Sequence, residues 1–130
     1  MIVVDSSAVI EVVLRRPAAA AVERRMHDMR ETVHAPHLID AEVTHVIRRY
    51  VVTREIGEDR GRAAVEDLID FPIYRHPHVP LLHRVWELRH NLTAYDAAYV
   101  ALAEVLDAPL VTRDARLAAS SGHRARIELI

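Results

Sequence analysis

Short runs of β-branched residues alternate along this chain with longer stretches in which apolar positions recur at helical spacing. Strands are predicted at residues 2–4, 32–35, 73–74, 110–112 and 127–130. Helices are predicted at residues 7–14, 18–30, 37–55, 58–70, 80–90, 94–106 and, as one or two turns, 116–121. Parallel strands need long crossover connections, so this alternation predicts an α/β domain with a mostly parallel sheet.

Two of the predicted helices differ in how their apolar residues are arranged. Residues 37–55 carry one apolar stripe at spacings of three and four, which is typical of a helix with a single buried face. Residues 94–106 (AYDAAYVALAEVL) are apolar on almost every face. We therefore expect this second helix to be buried on several sides.

Composition limits the class of protein. A length of 130 residues with 51% apolar residues is one domain with a real core. The absence of cysteine excludes disulfides and thiolate metal sites, and it makes a reducing cytoplasm the simplest compartment. The N-terminal apolar run is interrupted by Asp5 and Glu11, which is not the pattern of a signal peptide. No apolar stretch has the length of a transmembrane helix, so no membrane association is expected.

The charge pattern gives mixed signals about nucleic acid. The net charge is −2, which does not favour non-specific binding to RNA or DNA. All 17 basic residues are arginine, which suits bidentate contacts with phosphate but is equally explained by solvated helix faces. An aromatic content of 5% disfavours a protein that only binds RNA by stacking.

Four acidic residues lie at the end of a predicted strand, in the first turn of a predicted helix or at the border of an apolar stripe: Asp5, Glu42, Asp96 and Asp114. Asp5 and Asp114 each follow a predicted strand, and ligands gather beyond the carboxyl ends of parallel strands. Asp96 lies in the first turn of the apolar helix. Glu42 lies on the border of an apolar stripe, half turned toward the interior. A hard divalent cation is one of the few partners that serves several such carboxylates at once.

Each acid taken singly has a simpler interpretation. Asp is a favoured N-cap, which would explain Asp5 and Asp114. Thr93 and Asp96 have the spacing of a capping box, and Glu42 could pair with a surface arginine. Together, however, the four acids form the set that a hard-cation site requires.

Other candidate sites are weaker. Asp40 is a rival to Glu42, but it lies one turn earlier and is expected to cap its helix. None of the nine histidines has the spacing of a known zinc site. The chain has no G-x-S-x-G nucleophile motif, and its three glycines are too few for a phosphate-binding loop.

Four stretches of the chain resemble the PIN-domain family and, within it, the VapC-type toxins: IVVDSSAVIEVV, AEVTHVIRR, LTAYDAAYVALAEVL and LVTRDARL. Their order and spacing cover nearly the whole chain, and each contains one of the four acids. Residues 55–85 match least. In this family that region tends to shape substrate choice and partner contacts, so the resemblance implies least about them.

The resemblance implies a single PIN domain over residues 1–130, folded as an α/β/α sandwich around a mostly parallel sheet. It implies the toxin of a type II toxin–antitoxin system, an Mg²⁺- or Mn²⁺-dependent endoribonuclease acting on transfer or ribosomal RNA. The implied partners are a VapB-like antitoxin and a second copy of the chain. The catalytic and metal-binding residues carried over are Asp5, Glu42, Asp96 and Asp114, with Thr112 as a supporting polar residue.

Two alternatives remain open from the sequence. One is a non-catalytic module that keeps this fold and only binds partners. The other is a different metal-dependent hydrolase such as a phosphatase, although the second Asp expected shortly after Asp5 is missing. Arg113 and Arg116, which flank the last acid, are either guides for RNA or ordinary surface residues.

Overall fold

The computed structural model of the chain describes residues 1–27 and 31–130. Its strands are β1 (Ile2–Val4), β2 (Val33–Pro36), β3 (Ile73–His76), β4 (Leu110–Thr112) and β5 (Ile127–Leu129). Its helices are α1 (Ser6–Val13), α2 (Ala19–Met26), α3 (Leu38–Val52), α4 (Glu58–Asp70), α5 (Leu82–Glu87), α6 (Ala94–Leu106) and α7 (Ala115–Ala118), with a 3₁₀ turn at Val79–Leu81.

The five strands form one sheet in the order β3-β2-β1-β4-β5, and every neighbouring pair is parallel. The predicted α/β class with a parallel sheet is therefore confirmed. The first strand of the chain lies at the centre, paired with β2 on one side and β4 on the other. Val4 is in register with Val111, so the residues that follow β1 and β4 emerge side by side at the carboxyl edge.

The helix α6 is the most deeply buried helix of the described chain. Seven consecutive residues, from Ala97 to Ala103, are buried, and the helix contacts β1, β2 and β4. Four of the seven are alanine, whose small side chains let the helix approach the sheet closely. No helix within residues 1–27 and 31–130 combines the length and apolar character needed to cross a bilayer.

Some element boundaries differ from those expected. The helix predicted to run to residue 55 ends at Val52, because Arg54 adopts a left-handed backbone with φ of 60°. Gly57 instead precedes α4 as its N-cap. The helix predicted at 80–90 begins as a 3₁₀ turn with a proline in its first turn. The end of the helix predicted at 18–30 lies outside the described residues.

Candidate active site

Asp5 is buried at the junction between β1 and α1, with 5% of its surface exposed. It is the N-cap of α1: its Oδ1 accepts hydrogen bonds from the Ala8 N–H at 3.1 Å and the Ser7 hydroxyl at 2.6 Å. Its Oδ2 accepts from the Thr112 hydroxyl at 2.5 Å. Burial raises the pKa of Asp5; these three donors oppose the shift, and the charge of Asp96 adds to it.

Thr112 links the ends of the two central strands. Its fully buried hydroxyl donates to Asp5 and accepts the backbone N–H of Asp114 at 2.9 Å. The Ser7 hydroxyl lies 3.3 Å from it and accepts the N–H of Arg113 at 2.8 Å. Two small hydroxyls therefore fix the backbone after β4 against the carboxylate that follows β1.

Asp114 is the N-cap of the short helix α7. Its Oδ1 accepts from the backbone N–H groups of Arg116 at 2.8 Å and Leu117 at 3.4 Å. Its Oδ2 pairs with the Arg116 guanidinium at 3.2 Å. Partial burial acts to raise the pKa of Asp114, but the hydrogen bonds and charge from Arg116 outweigh it and the pKa is lowered.

Asp96 lies in the first turn of α6 and is half-buried. Thr93 is the N-cap of this helix and accepts the Asp96 N–H at 3.2 Å. Burial raises the pKa of Asp96, as does the charge of Asp114, while Thr93 and Arg116 act in the opposite direction. Part of the carboxylate surface thus stays open to a ligand.

Glu42 reaches the same region from α3. The hydroxyl of Tyr99, a buried residue of α6, donates to its Oε2. Burial raises the pKa of Glu42, and the charges of Asp96 and Asp5 raise it further. Burial and the Glu42 charge also hold the pKa of the Tyr99 phenol far above its ordinary value, so this group remains a donor.

The four predicted acids come together at the carboxyl edge of β1 and β4. The pKa of Asp5 responds to Asp96, that of Glu42 to Asp5 and Asp96, and that of Asp96 to Asp114. Three of the four have raised pKa values. A cluster of carboxylates in this state repels itself and favours a bound cation.

The donor set fits a hard, hydrated cation. All four side chains offer carboxylate oxygens, the ligands that Mg²⁺ prefers, and Mg²⁺ keeps several waters while taking one or two carboxylates. In the described part of the chain, no three His, Cys, Asp or Glu side chains are close enough together to bind one ion directly. Asp5 accepts three hydrogen bonds, which leaves room for about one further ligand contact.

Two residues of the site were not singled out from the sequence. Ser7 and Tyr99 each donate a hydrogen bond to one of the predicted acids. Tyr99 follows Asp96 by three residues, so both lie on the same face of α6, and this spacing is the signal that would have identified it. The only sequence signal for Ser7 is that it follows Asp5 by two residues. Residues in the first turn of any helix are equally close to their N-cap, so this signal is not specific.

Other candidates from the sequence lie outside the cluster. Asp40 forms a forked pair with Arg75 on β3 at 2.8 and 3.0 Å. The Arg113 guanidinium donates to the Ile130 carbonyl. Arg116 brings a positive charge next to the acids, because its guanidinium pairs with Asp114. Among the histidines, His34 Nδ1 lies 2.8 Å from His76 Nε2 across β2 and β3.

Known proteins similar to this chain agree on one family. A family model described as the PIN domain matches residues 2–121. A Mycobacterium tuberculosis protein named Ribonuclease VapC1 is 47% identical over 130 residues, covering 98% of this chain and 96% of its own. Ribonuclease VapC12 of the same species is 48% identical, covering 100% and 99%.

A solved structure supports the same fold. The structure described as a toxin–antitoxin complex from Klebsiella pneumoniae matches with a TM-score of 0.65. The match covers 92% of this chain and 91% of that one, at 18% identity. At this identity the likeness concerns the fold.

Proposed function

The chain belongs to the PIN-domain family, and from this premise we propose that it is the toxin of a type II toxin–antitoxin system. The proposed activity is divalent-metal-dependent endonucleolytic hydrolysis of RNA. The observation that carries it is the convergence of four carboxylates, three with raised pKa values, in a chain nearly half identical to named ribonucleases.

The proposed cofactor is Mg²⁺ or Mn²⁺, held by Asp5 and Asp96, with Glu42 and Asp114 holding its waters or a second ion. When bound, such an ion supplies positive charge at the attacked phosphate and acidifies a water. Ser7 and Thr112 keep the Asp5 carboxylate in one orientation. Tyr99 does the same for Glu42, whose raised pKa suits it to accept a proton from the attacking water.

No covalent enzyme intermediate is required. Water attacks phosphorus and gives a proton to Glu42, the bond from phosphorus to one ribose oxygen breaks, and that oxygen leaves as a hydroxyl after taking up a proton from solvent. Arg116 is the cation beside the cluster, and it is 91% exposed, so it is free to approach the phosphate of an incoming strand.

The proposed partners are a VapB-like antitoxin and a second copy of this chain. A fold-level relative is described as a toxin–antitoxin complex, which supports the first. An arginine from an antitoxin is chemically suited to occupy a cluster of carboxylates, since a guanidinium replaces the charge of a cation. Transfer or ribosomal RNA is the proposed substrate, which implies a cytoplasmic site of action.

The test is incubation of the purified protein with total RNA in Mg²⁺, in Mn²⁺ and in EDTA, beside an Asp5→Asn/Asp96→Asn double variant. Discrete cuts that need metal and vanish in the variant are expected, and their positions identify the RNA. A folded wild-type protein that cuts none of the cellular RNA classes in either metal would contradict the proposal. Cuts that persist in the variant would assign the activity to a contaminant.

A further inference from the structure

We propose that a cleft beside the acidic cluster binds a nucleobase next to the cleaved phosphate, and that Tyr95 stacks on this base. The inference rests on the proposed function and deepens it, because it assigns the residues that choose the nucleotide. The cleft is lined by Ser6, Ala41, Glu42, His45, Val46 and Tyr95.

The cleft is continuous with the acidic cluster. Glu42 belongs to both, Ser6 follows Asp5 directly, and Tyr95 precedes Asp96. A strand whose phosphate lies at the carboxylates therefore has its neighbouring nucleoside at the mouth of the cleft. The volume is about 450 Å³, within the range of small-molecule sites.

The chemistry of the walls selects a base rather than a phosphate. None of the six lining residues is an arginine, and Glu42 would repel a second phosphate. Ala41 and Val46 offer an apolar surface, which suits the flat face of a base. His45, one turn after Glu42 on α3, offers a ring nitrogen to hydrogen-bond the base edge.

Tyr95 supplies the stacking surface. It lies in the first turn of α6 with 63% of its surface exposed, so its ring is accessible to a base. Single-stranded RNA is commonly recognised by unstacked bases on exposed aromatic rings beside a polar edge reader. The lining of this cleft contains both kinds of group, an exposed aromatic ring in Tyr95 and a polar ring in His45.

The test measures binding separately from cleavage. Fluorescently labelled single-stranded oligoribonucleotides, one homopolymer of each base, are titrated in Mg²⁺ against protein carrying Asp114→Asn, a change that keeps a good N-cap on α7. Adding Tyr95→Ala should weaken binding about five- to hundred-fold, the effect of losing one stacked base. Tyr95→Phe should restore it, because stacking does not need the hydroxyl. The control is Tyr74→Ala on β3, which removes an aromatic ring that is 61% exposed outside the cleft and should leave RNA affinity unchanged.

Cut positions provide the second measurement. In otherwise wild-type protein, Tyr95→Ala and His45→Ala should broaden the nucleotide preference beside the cut. If the wild type cuts RNA but Tyr95→Ala leaves affinity and preference unchanged, the base site is wrong and the nuclease stands. If Tyr95→Ala weakens binding while the wild type never cuts, the base site stands and the nuclease fails. An equal loss for Tyr74→Ala would overturn the assignment of the base to this cleft.

Discussion

Helix capping and site chemistry share the same carboxylates at the scale of single residues. Asp5 and Asp114 both cap helices, as the simpler interpretation of the sequence held. Capping by Asp114 uses Oδ1, which leaves Oδ2 to Arg116 and the solvent. The cap therefore orients the carboxylate and does not compete with a role in the site.

Asp5, Asp96 and Asp114 were predictable from the sequence because strand ends and helix starts can be read from pattern, and Glu42 because it borders an apolar stripe. Their hydrogen-bond partners were not. Thr112 was suggested by resemblance, whereas Tyr99 looked like one more apolar position of α6. Its hydroxyl contributes to the site because α3 places Glu42 within hydrogen-bond distance of it. The spacing of residues along one helix does not predict this contact between two helices.

Tyr99→Phe should lower the RNA cleavage rate by about tenfold. The change keeps the buried ring but removes the donor to Glu42, and loss of a residue that orients a ligand typically has an effect of this order. Steady-state cleavage rates together with melting temperatures provide the measurement. Tyr74→Phe, at a residue that is 61% exposed on β3, is the matched control. Equal cleavage rates for wild type and Tyr99→Phe would show that the Tyr99 hydroxyl has no role in the reaction.

Asp96→Asn should raise the melting temperature of the metal-free protein at neutral pH. The folded protein raises the pKa of Asp96 above its ordinary value of 3.8, chiefly by burial. Its favourable contribution is therefore present below that value and is lost as pH rises through the folded pKa, so ionised Asp96 is destabilising at neutrality.

The same comparison in saturating Mg²⁺ should reverse the order, because the ion stabilises only the intact cluster. Asp40→Asn, which breaks the pair with Arg75, is the control and should destabilise the protein in both conditions. A wild-type melting temperature that is the same with and without Mg²⁺ would contradict a metal site at the cluster.

At the scale of elements, α5 and α6 are joined by one well-formed ion pair. Arg84 donates to both oxygens of Glu104 at 2.7 and 3.0 Å, and Glu104 also accepts the Arg124 N–H at 2.8 Å. The Glu104 side chain is 3% exposed. The Arg84 guanidinium holds the pKa of Glu104 below its ordinary value of 4.5.

Glu104→Gln should cost about 1–3 kcal/mol of unfolding free energy at neutral pH. Since the folded pKa is lowered, the wild-type advantage is present above pH 4.5 and is lost as pH falls through the folded pKa. Urea unfolding at neutral and acid pH measures this. Glu87→Gln removes another partner of Arg84 and should have little effect, because the Glu87 side chain is 64% exposed. Equal losses in both variants would contradict the account.

The pairing of β2 with β3 should weaken on mild acidification. Burial and the neighbouring His76 lower the pKa of His34 below its ordinary value of 6.5, and the ring also stacks on Tyr74. The stabilising contribution is present above pH 6.5 and is lost as pH falls through the folded pKa. Melting temperatures between about pH 8 and pH 5 should show a drop that His34→Phe reduces and His90→Phe, an exposed control, does not. A parallel drop in both variants would exclude His34 as its source.

At the scale of the whole molecule, the strand order explains why the acids meet. The class of the sheet was predictable from the alternation of elements, but the order β3-β2-β1-β4-β5 depends on long-range pairing that no local pattern specifies. That order places Asp5 in the middle and the last acid beside it. The helix α6, which carries Asp96, packs on β1, β2 and β4, whereas α3, which carries Glu42, packs on the helices α1 and α4.

The charge of the whole molecule sets a requirement on RNA binding. The net charge is −2, and the acidic cluster contains four carboxylates, so the protein alone repels a polyanion. A bound divalent cation would reduce the negative charge of the cluster, and exposed Arg116 reduces it further. Metal binding is therefore expected to precede RNA binding in the proposed cycle.

Initial cutting rates on one synthetic RNA test whether the acidic cluster performs metal-dependent cleavage. Wild type, Asp96→Asn and Asp40→Asn are compared over an Mg²⁺ titration, with folding checked by melting. If the cluster performs the cleavage, Asp96→Asn should lower the rate by about a hundred-fold or more, and Asp40→Asn should stay within about twofold of wild type. Cutting by folded Asp96→Asn at the wild-type rate and the same Mg²⁺ dependence would contradict cleavage by the cluster.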